Sequence, residues 1–401
     1  MKTYLRKIIT LILVLSLLLG SILSLSSCSY TASFIGDIFD NLGKDGETRD
    51  SLTAQRGALL SSVSITADFT VEINDPFSYT ATTGTRTMAG SGVIYKLDKS
   101  TGDAYIITNY HVIYHDDAVT DKISESIKVY LYGYESENYA ISAKYVGGAF
   151  DYDLAVLKVT GSDLLKISPA RAAETSDSEL VRVLDPVIAI GNAEREGISA
   201  TKGSVSVISE DLKMKGPDKR TDITVRVMRV DTAINEGNSG GGLFDSQGRL
   251  IGIVNAKKIG EKVDNIAYAI PSNLALALAD NIIYHSDEEF RGAYKYTPGI
   301  NVSEAEMSLE LDKDGEIVRV TRVVVTSVDQ DSSLRGKILE QDTLLEIRVD
   351  GKVQRITALY HVLEIMLTAR PGSTVTLVVE RNGVTHTVSL TVTSDMGTAI
   401  K

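Results

Sequence analysis

Apolar positions divide the chain into distinct textures. Ile8 to Leu25 is an almost unbroken run of Ile, Leu, Val and Ser without a charge. From about residue 51 to 271 the pattern changes to short β-like runs, rich in Val, Ile and Tyr and broken by Gly, Asn and Asp. These runs are Val63–Phe69, Gly92–Lys96, Ala104–Thr108, Ile127–Tyr132, Ala140–Val146, Leu154–Val159, Val187–Ile190, Gly203–Ile208, Ile223–Arg229 and Leu250–Asn255. Strands at this spacing, with no long helix between them, predict antiparallel β-barrels or a sandwich. Leu274, Leu278 and Ile282 then recur every four residues, which predicts a helix over 274–284 with Pro271 in its first turn. A polar connector, 286–296, leads to a second unit over 297–395. There Val318–Val325 and Thr343–Val349 read as strands, and 358–367 as a helix stopped by Pro371-Gly372. Thr374–Glu380 and Val384–Val392 flank Arg381-Asn382-Gly383, a hairpin signal, so this unit is a small αβ module.

The first apolar run has a targeting character. Lys2, Arg6 and Lys7 precede it, and Leu25-Ser26-Ser27-Cys28 closes it. A basic head, an apolar stretch and a small-residue site make a secretory signal peptide over 1–27. The cysteine at its exit resembles a bacterial lipobox, which implies that Cys28 carries diacylglycerol and anchors the chain to the cell membrane. An uncleaved membrane helix is the other reading of this run. Either way the body lies outside the cytoplasm. Residues 28–54, with the apolar patch Phe34-Ile35-Gly36-Asp37-Ile38-Phe39, read as a tether, and a globular domain follows over 55–285.

Composition narrows the chemistry. The 401 residues include 41 Lys+Arg against 53 Asp+Glu, a net charge of −12, and one Cys. A single cysteine excludes an internal disulfide and a cysteine metal cluster. Five His with no HExxH or CxxC argue against a metal, and no cofactor is expected. The acidic balance argues against a nucleic-acid partner. Removal of 1–27 takes away three basic residues and no acid, leaving −15 on a body that contacts an anionic membrane only at its anchor.

The sharpest chemical feature is Glu236-Gly237-Asn238-Ser239-Gly240-Gly241-Gly242. Glycine admits positive φ and close approach of backbone. A serine nucleophile needs both, because the carbonyl it attacks must lie against main-chain N–H groups that take the developing oxyanion. Gly237 and Ser239 would supply them. A glycine-rich turn between strands is the plainer reading of this loop alone. Two further features change the balance. His111 follows the apolar strand in Ala104-Tyr105-Ile106-Ile107-Thr108-Asn109-Tyr110-His111, and Asp153 sits at the mouth of another in Asp151-Tyr152-Asp153-Leu154-Ala155-Val156. The order His111, Asp153, Ser239 is one known order of the catalytic triad.

These segments, with Ala189-Ile190-Gly191-Asn192, Asp231-Thr232-Ala233-Ile234-Asn235 and Tyr268-Ala269-Ile270-Pro271, resemble the HtrA/Deg serine proteases, in the same order. Ser332-Ser333-Leu334-Arg335-Gly336, Asp342-Thr343-Leu344-Leu345, Val349-Asp350-Gly351-Lys352 and Arg370-Pro371-Gly372 resemble the PDZ module these proteases carry. The resemblance implies a mainly β fold: a chymotrypsin-like double β-barrel over 55–285, then a small αβ PDZ domain over 297–395. It implies a membrane-anchored serine endopeptidase that cleaves misfolded or signalling proteins. Ser239 is then the nucleophile, His111 the general base and Asp153 its orienting carboxylate, with Asp151 second to Asp153. The residue six before the serine, Ala233, would floor the pocket for the side chain before the cut, beside Ile234. With no acid there, cleavage is expected after Val, Ala, Ile or Leu.

The PDZ domain would bind C-terminal peptides, with Gly299 and Ile300 in the carboxylate loop. The family's trimeric habit implies a homotrimer or a multiple of it, with Phe69, Phe77 and Tyr79 as candidate contacts. The chain also departs from the pattern. Glu236 and Gly242 stand where the family often has proline, which would loosen the oxyanion loop. Glu340-Gln341-Asp342 lacks the usual glycine, and the residues before Val318 match poorly. His115 reads as a residue of an acidic surface loop, His285 as a cap of the connector, and His361 and His386 as residues on the second domain. The competing reading is a proteolytically silent chaperone or peptide-binding protein that works through its PDZ domain.

Overall fold

The computed structural model describes residues 51–73, 82–255, 266–287, 289–311, 315 and 317–400. The leader, Cys28, the patch 34–39, Phe77 and Tyr79 fall outside them. Helix α1 (Ser51–Ala58) leads into the first of two closed six-stranded antiparallel barrels. That barrel comprises β1 (Ser62–Ile73), β2 (Thr82–Asp98), β3 (Asp103–Thr108), β4 (Ser126–Leu131), β5 (Ile141–Ala149) and β6 (Leu154–Val159), in the order β1-β2-β3-β6-β5-β4. A short helix, α2 (Asp163–Ile167), is capped by the Ser162 hydroxyl on the N–H of Leu165. The second barrel comprises β7 (Pro186–Gly191), β8 (Ser199–Lys215), β9 (Asp222–Val230), β10 (Gly242–Asp245), β11 (Leu250–Asn255) and β12 (Ala267–Pro271), in the order β10-β11-β12-β9-β8-β7. This is the double barrel that the resemblance implies.

The strands near the seam read as unbroken apolar runs because both of their faces are covered. Ile94, Ile106 and Leu157 fill the first barrel, while their neighbours Val93, Ile107 and Val156 pack outward. That outward layer meets Ile188, Ile190, Val225, Phe244 and Ile253 of the second barrel. Helix α3 (Ser272–His285) closes the seam with Leu274, Leu278 and Ile282, the residues whose four-residue spacing marks it in the sequence. Each such side chain contributes roughly 1.5–3 kcal/mol when taken fully out of water, so the seam is a core in its own right. The catalytic candidates lie along its rim.

A third body follows. Strands β14 (Ile300–Leu311), β15 (Ile317–Val328), β16 (Thr343–Val349), β18 (Thr374–Arg381) and β19 (Val384–Thr391) lie in that order, with β17 (Lys352–Arg355) paired to β16. Helix α4 (Leu359–Met366) packs Ile365 and Met366 into a core with Val323, Val325, Leu344 and Leu377. The expected hairpin between β18 and β19 forms, with Asn382 and Gly383 both at positive φ, 52° and 77°. Gln341 takes the left-handed conformation (φ 69°) in the segment that lacks the family's glycine, and Asp342 beside it is held by Arg381 at 2.7 and 2.6 Å.

Several expectations need correction. The connector ends in a strand, β13 (Ala293–Tyr296), which pairs with β20 (Gly397–Ile400) and so ties the chain's last described residues to the junction. Pro271 closes β12 and caps α3 from outside, so it does not sit in the first turn. The poorly matching residues before Val318 form β14, whose outer half carries exposed residues throughout. Phe69 is buried in the first barrel, which removes it as a subunit contact. His115 is buried against Phe69, ring centroids 5.5 Å apart, and is not on the surface.

His361 is buried too, in a polar cluster that joins the third body to the second barrel. Arg226 of β9 contacts Glu179 and Glu364, each at 3.0 Å, and its guanidinium lies 3.7 Å from the centre of the Tyr360 ring. Tyr360 Oη and His361 Nε2 both meet Glu179 at 3.0 Å. Asn281 of α3 adds a second tie, donating to the carbonyl of Leu367 at 2.7 Å.

Candidate active site

The register of β3 against β6 decides where the histidine and aspartate meet. Thr108 pairs with Ala155, so the chain leaving β3 and the chain entering β6 emerge side by side. His111 follows in a 3-10 turn (Tyr110–Val112), and Asp153 ends another (Phe150–Tyr152) in a left-handed conformation, φ 52°. Non-glycine residues pay for that conformation, and they keep it where surrounding bonds over-determine it. Here they do. The Asp153 carbonyl accepts from Tyr110 N at 3.1 Å and Asn109 Nδ2 at 2.9 Å.

The Asp153 carboxylate is fully buried and satisfied on both oxygens. Oδ1 accepts from the His111 N–H at 3.0 Å. Oδ2 lies 2.7 Å from His111 Nδ1 and 3.0 Å from Asn255 Nδ2. The short Nδ1 contact assigns the proton of a neutral ring to Nδ1, because a carboxylate only accepts. Nε2 is then left with its lone pair, as a general base requires. Asp151 makes no such bond; it lines a polar cavity of about 340 Å³ with Tyr152, Asp222 and Lys295.

Ser239 arrives from the second barrel. Its carbonyl accepts from Ser91 N of β2 at 2.8 Å. The next residue, Gly240 (φ 83°), is so close to Ser91 O and Thr108 Oγ1 that a Cβ there would collide with both and crowd Asn109 N. The serine loop is thus pressed against the strand that delivers His111. Among the described residues no hydrogen bond joins His111 Nε2 to Ser239 Oγ, and such bonds often tighten only when substrate is bound.

The N–H groups of the loop alternate. Asn238 N donates to Asn235 O at 3.1 Å, Gly240 N to Val254 O at 2.9 Å and Gly241 N to Asn238 O at 2.9 Å. The N–H groups of Gly237 and Ser239 have no acceptor among the described residues, although both residues are buried. Two N–H groups without a protein acceptor, one of them the serine's own, can take the oxygen of an incoming carbonyl. Gly242 does not loosen this loop. It opens β10 between Ile190 and Ile253, and a Cβ there would strike the buried ring of Phe244.

The expected specificity residues lie on the approach to this loop. Ala233 is exposed, with its carbonyl held by Thr201 Oγ1 at 2.9 Å, and Ile234 packs on the core of the second barrel. Asp231, two residues before Ala233, is turned onto Ser204, whose backbone N–H and hydroxyl hold its carboxyl below the usual range. In the third body Gly299 takes φ 74° against Ser332, and Ile300 is buried in the core.

Asn255, Asn109 and Ser91 went unnoticed in the sequence. Asn255 left a trace there: a polar residue closing an otherwise apolar strand, all of which is buried.

Comparison with known proteins now bears on this geometry. Residues 90–253 match the trypsin-like peptidase domain family. The chain is 36% identical over 201 residues to the serine protease Do-like HtrA of Bacillus subtilis, covering 50% of this chain and 40% of that one. It is 30% identical over 314 residues to the serine protease Do-like HtrB of the same organism, covering 76% and 62%. The aligned part thus spans less than two thirds of either relative's own length. Among solved structures, an HtrA-type protease AlgW with tripeptide matches with a TM-score of 0.51 at 25% identity, over 86% of this chain and 96% of that one.

Proposed function

We propose that this chain, a mostly β protein with a trypsin-like peptidase domain and HtrA/Do-like serine protease homologues, is itself a serine endopeptidase. One observation carries the reading: a buried carboxylate orients His111 at the same rim where the N–H groups of Gly237 and Ser239 have no acceptor among the described residues. In this mechanism Ser239 Oγ attacks the peptide carbonyl and its proton passes to His111 Nε2. Asp153 holds the ring and stabilises the imidazolium, and Asn255 keeps the carboxylate aimed. The carbonyl oxygen takes its charge against the N–H groups of Gly237 and Ser239. The tetrahedral adduct collapses, the leaving amine takes the proton from His111, and water then hydrolyses the acyl-enzyme by the same route.

The pocket beside Ser239 is floored by Ala233 and Ile234 and takes Val, Ala, Ile or Leu before the cut; support comes from the absence of charge on these two side chains. The third body acts as a PDZ domain that binds C-terminal peptides at Gly299 and Ile300. Support comes from the positive φ of Gly299 just before β14, which leaves its backbone open to a carboxylate. Lipidation at Cys28 places the enzyme outside the cell membrane as a homotrimer or a multiple of it, acting on misfolded or signalling proteins.

The deciding experiment is digestion of an unfolded protein by the wild type and by Ser239→Ala, with the cut sites mapped by mass spectrometry. Cuts after small aliphatic residues, lost in Ser239→Ala, are expected; cuts dominated by Lys or Arg would overturn the specificity. The second reading is a silent peptide-binding protein. Failure of a fluorophosphonate to label the wild type under any activating condition would support that reading.

A further inference from the structure

A buried serine of the first barrel bonds to three segments that meet at the active site. Ser91 has no exposed surface, and every polar atom it owns is bonded. Its N–H donates to Ser239 O at 2.8 Å, and its carbonyl accepts from Thr108 Oγ1 at 2.7 Å. Its hydroxyl accepts from Asn192 N, just past β7, at 2.7 Å and donates to Gly237 O at 2.6 Å. A buried hydroxyl that donates and accepts at normal distances has a fixed direction.

The consequence lies in the peptide planes of the loop. The plane between Gly237 and Asn238 is held at both ends, its carbonyl by Ser91 Oγ and its N–H by Asn235 O. The plane between Ser239 and Gly240 is held by Ser91 N on one side and Val254 O on the other. These clamped planes border the two N–H groups read as oxyanion donors. Gly237 sits at φ 97°, where a glycine can turn freely unless something stops it. The Ser91 hydroxyl is what stops it on the carbonyl side.

We propose that Ser91 is a positioning residue for catalysis: its hydroxyl fixes the Gly237 carbonyl and so holds the Gly237 N–H toward the oxyanion. The proposal rests on the reading of Ser239 as nucleophile and of Gly237 and Ser239 as oxyanion donors. Ser64 provides an internal control. It is the cross-strand partner of Ser91 on β1, is also buried, and its hydroxyl has no partner among the described residues.

The test compares the wild type, Ser91→Ala, Ser64→Ala and Ser239→Ala on a peptide with valine before the cut. Each is also titrated with a peptidyl trifluoromethyl ketone, which Ser239 Oγ would add to as a hemiketal oxyanion. Removal of a direct oxyanion donor typically lowers kcat about 10²–10³-fold. Loss of a group one bond further out is expected to lower kcat roughly 10–100-fold, by the same reasoning. KM should change less than about threefold, since ground-state contacts are untouched. Affinity for the ketone should fall in step with kcat/KM, and Ser64→Ala should match the wild type in all three.

Ser91→Ala turning over within twofold of wild type would overturn the proposal. So would a fall in kcat that leaves ketone affinity unchanged, or a loss that Ser64→Ala shares and that tracks the melting temperature. If Ser239→Ala retains the wild-type activity, the reading of the site fails and this inference fails with it. If only Ser91→Ala proves silent, the inference alone falls.

Discussion

Replacing Glu364 with glutamine should stabilise the protein, and by an amount that depends on pH. Glu364 lies on α4 where it meets the second barrel and is 7% exposed. Burial, with the charges of Glu179 and Asp177 adding to it, pushes its pKa up from 4.5 to about 7, against the opposing pull of Arg226 and Lys352. Tyr360 and His361 of its own helix turn toward Glu179 instead. Burial also works to raise Glu179, but bonds from His361 and Tyr360 and the charge of Arg226 outweigh it and hold Glu179 below the usual range. One guanidinium thus serves two carboxylates: Glu179 keeps the charge and Glu364 keeps a proton near neutrality.

Between pH 4.5 and about 7 the folded chain binds a proton at Glu364 that the unfolded chain has lost, so stability falls as pH rises through that window. A raised pKa costs about 1.4 kcal/mol per unit once the group is charged, so the full effect is about 3 kcal/mol. Glutamine mimics the protonated form. Glu364→Gln should therefore match the wild type near pH 4.5 and exceed it by about 1–3 kcal/mol at pH 8.5. Urea unfolding followed by tyrosine fluorescence across that range measures the difference, since the chain has no tryptophan. An equal pH slope in the two proteins would refute the assignment of the proton to Glu364.

Arg226→Met should cost about 1.5–3 kcal/mol in the same assay, because it removes a charged partner of the half-buried Glu179 carboxylate while Glu364 keeps its proton; a cost under 1 kcal/mol would mean that water reaches the cluster. Asp153→Asn should lower kcat about 10⁴-fold with the fold intact, because an amide can present its N–H to His111 Nδ1 and select the wrong tautomer. A loss below tenfold in kcat would remove Asp153 from the mechanism. Asn255→Ala removes a 3.0 Å bond to that carboxylate, and a bond to a charged group contributes about 1.5–3 kcal/mol. Its kcat should fall roughly 10–100-fold, and an unchanged kcat would make Asn255 a packing residue only.

What the sequence determined is what local pattern can encode. The Val- and Ile-rich runs located most strands of both barrels: seam strands are unbroken because both faces are covered, and strands such as β1 alternate because one face is less buried. Spacing located α3, and Asn382-Gly383 located a hairpin, because each rests on neighbours in the chain. Ser239 among its glycines, and His111 and Asp153 at strand ends, were legible because each needs a local backbone shape. Strands β10 and β12 escaped notice because they are short and hold glycine or proline, and β14 because its outer half buries nothing. The tertiary structure alone decided which residues support the site. Asn255 reaches Asp153 across 102 residues, Ser91 reaches Gly237 across 146, and His361 reaches Glu179 across 182. No periodicity relates such positions. They become neighbours only when the barrels close and the third body docks, and the requirement that every buried polar group find a partner then selects them.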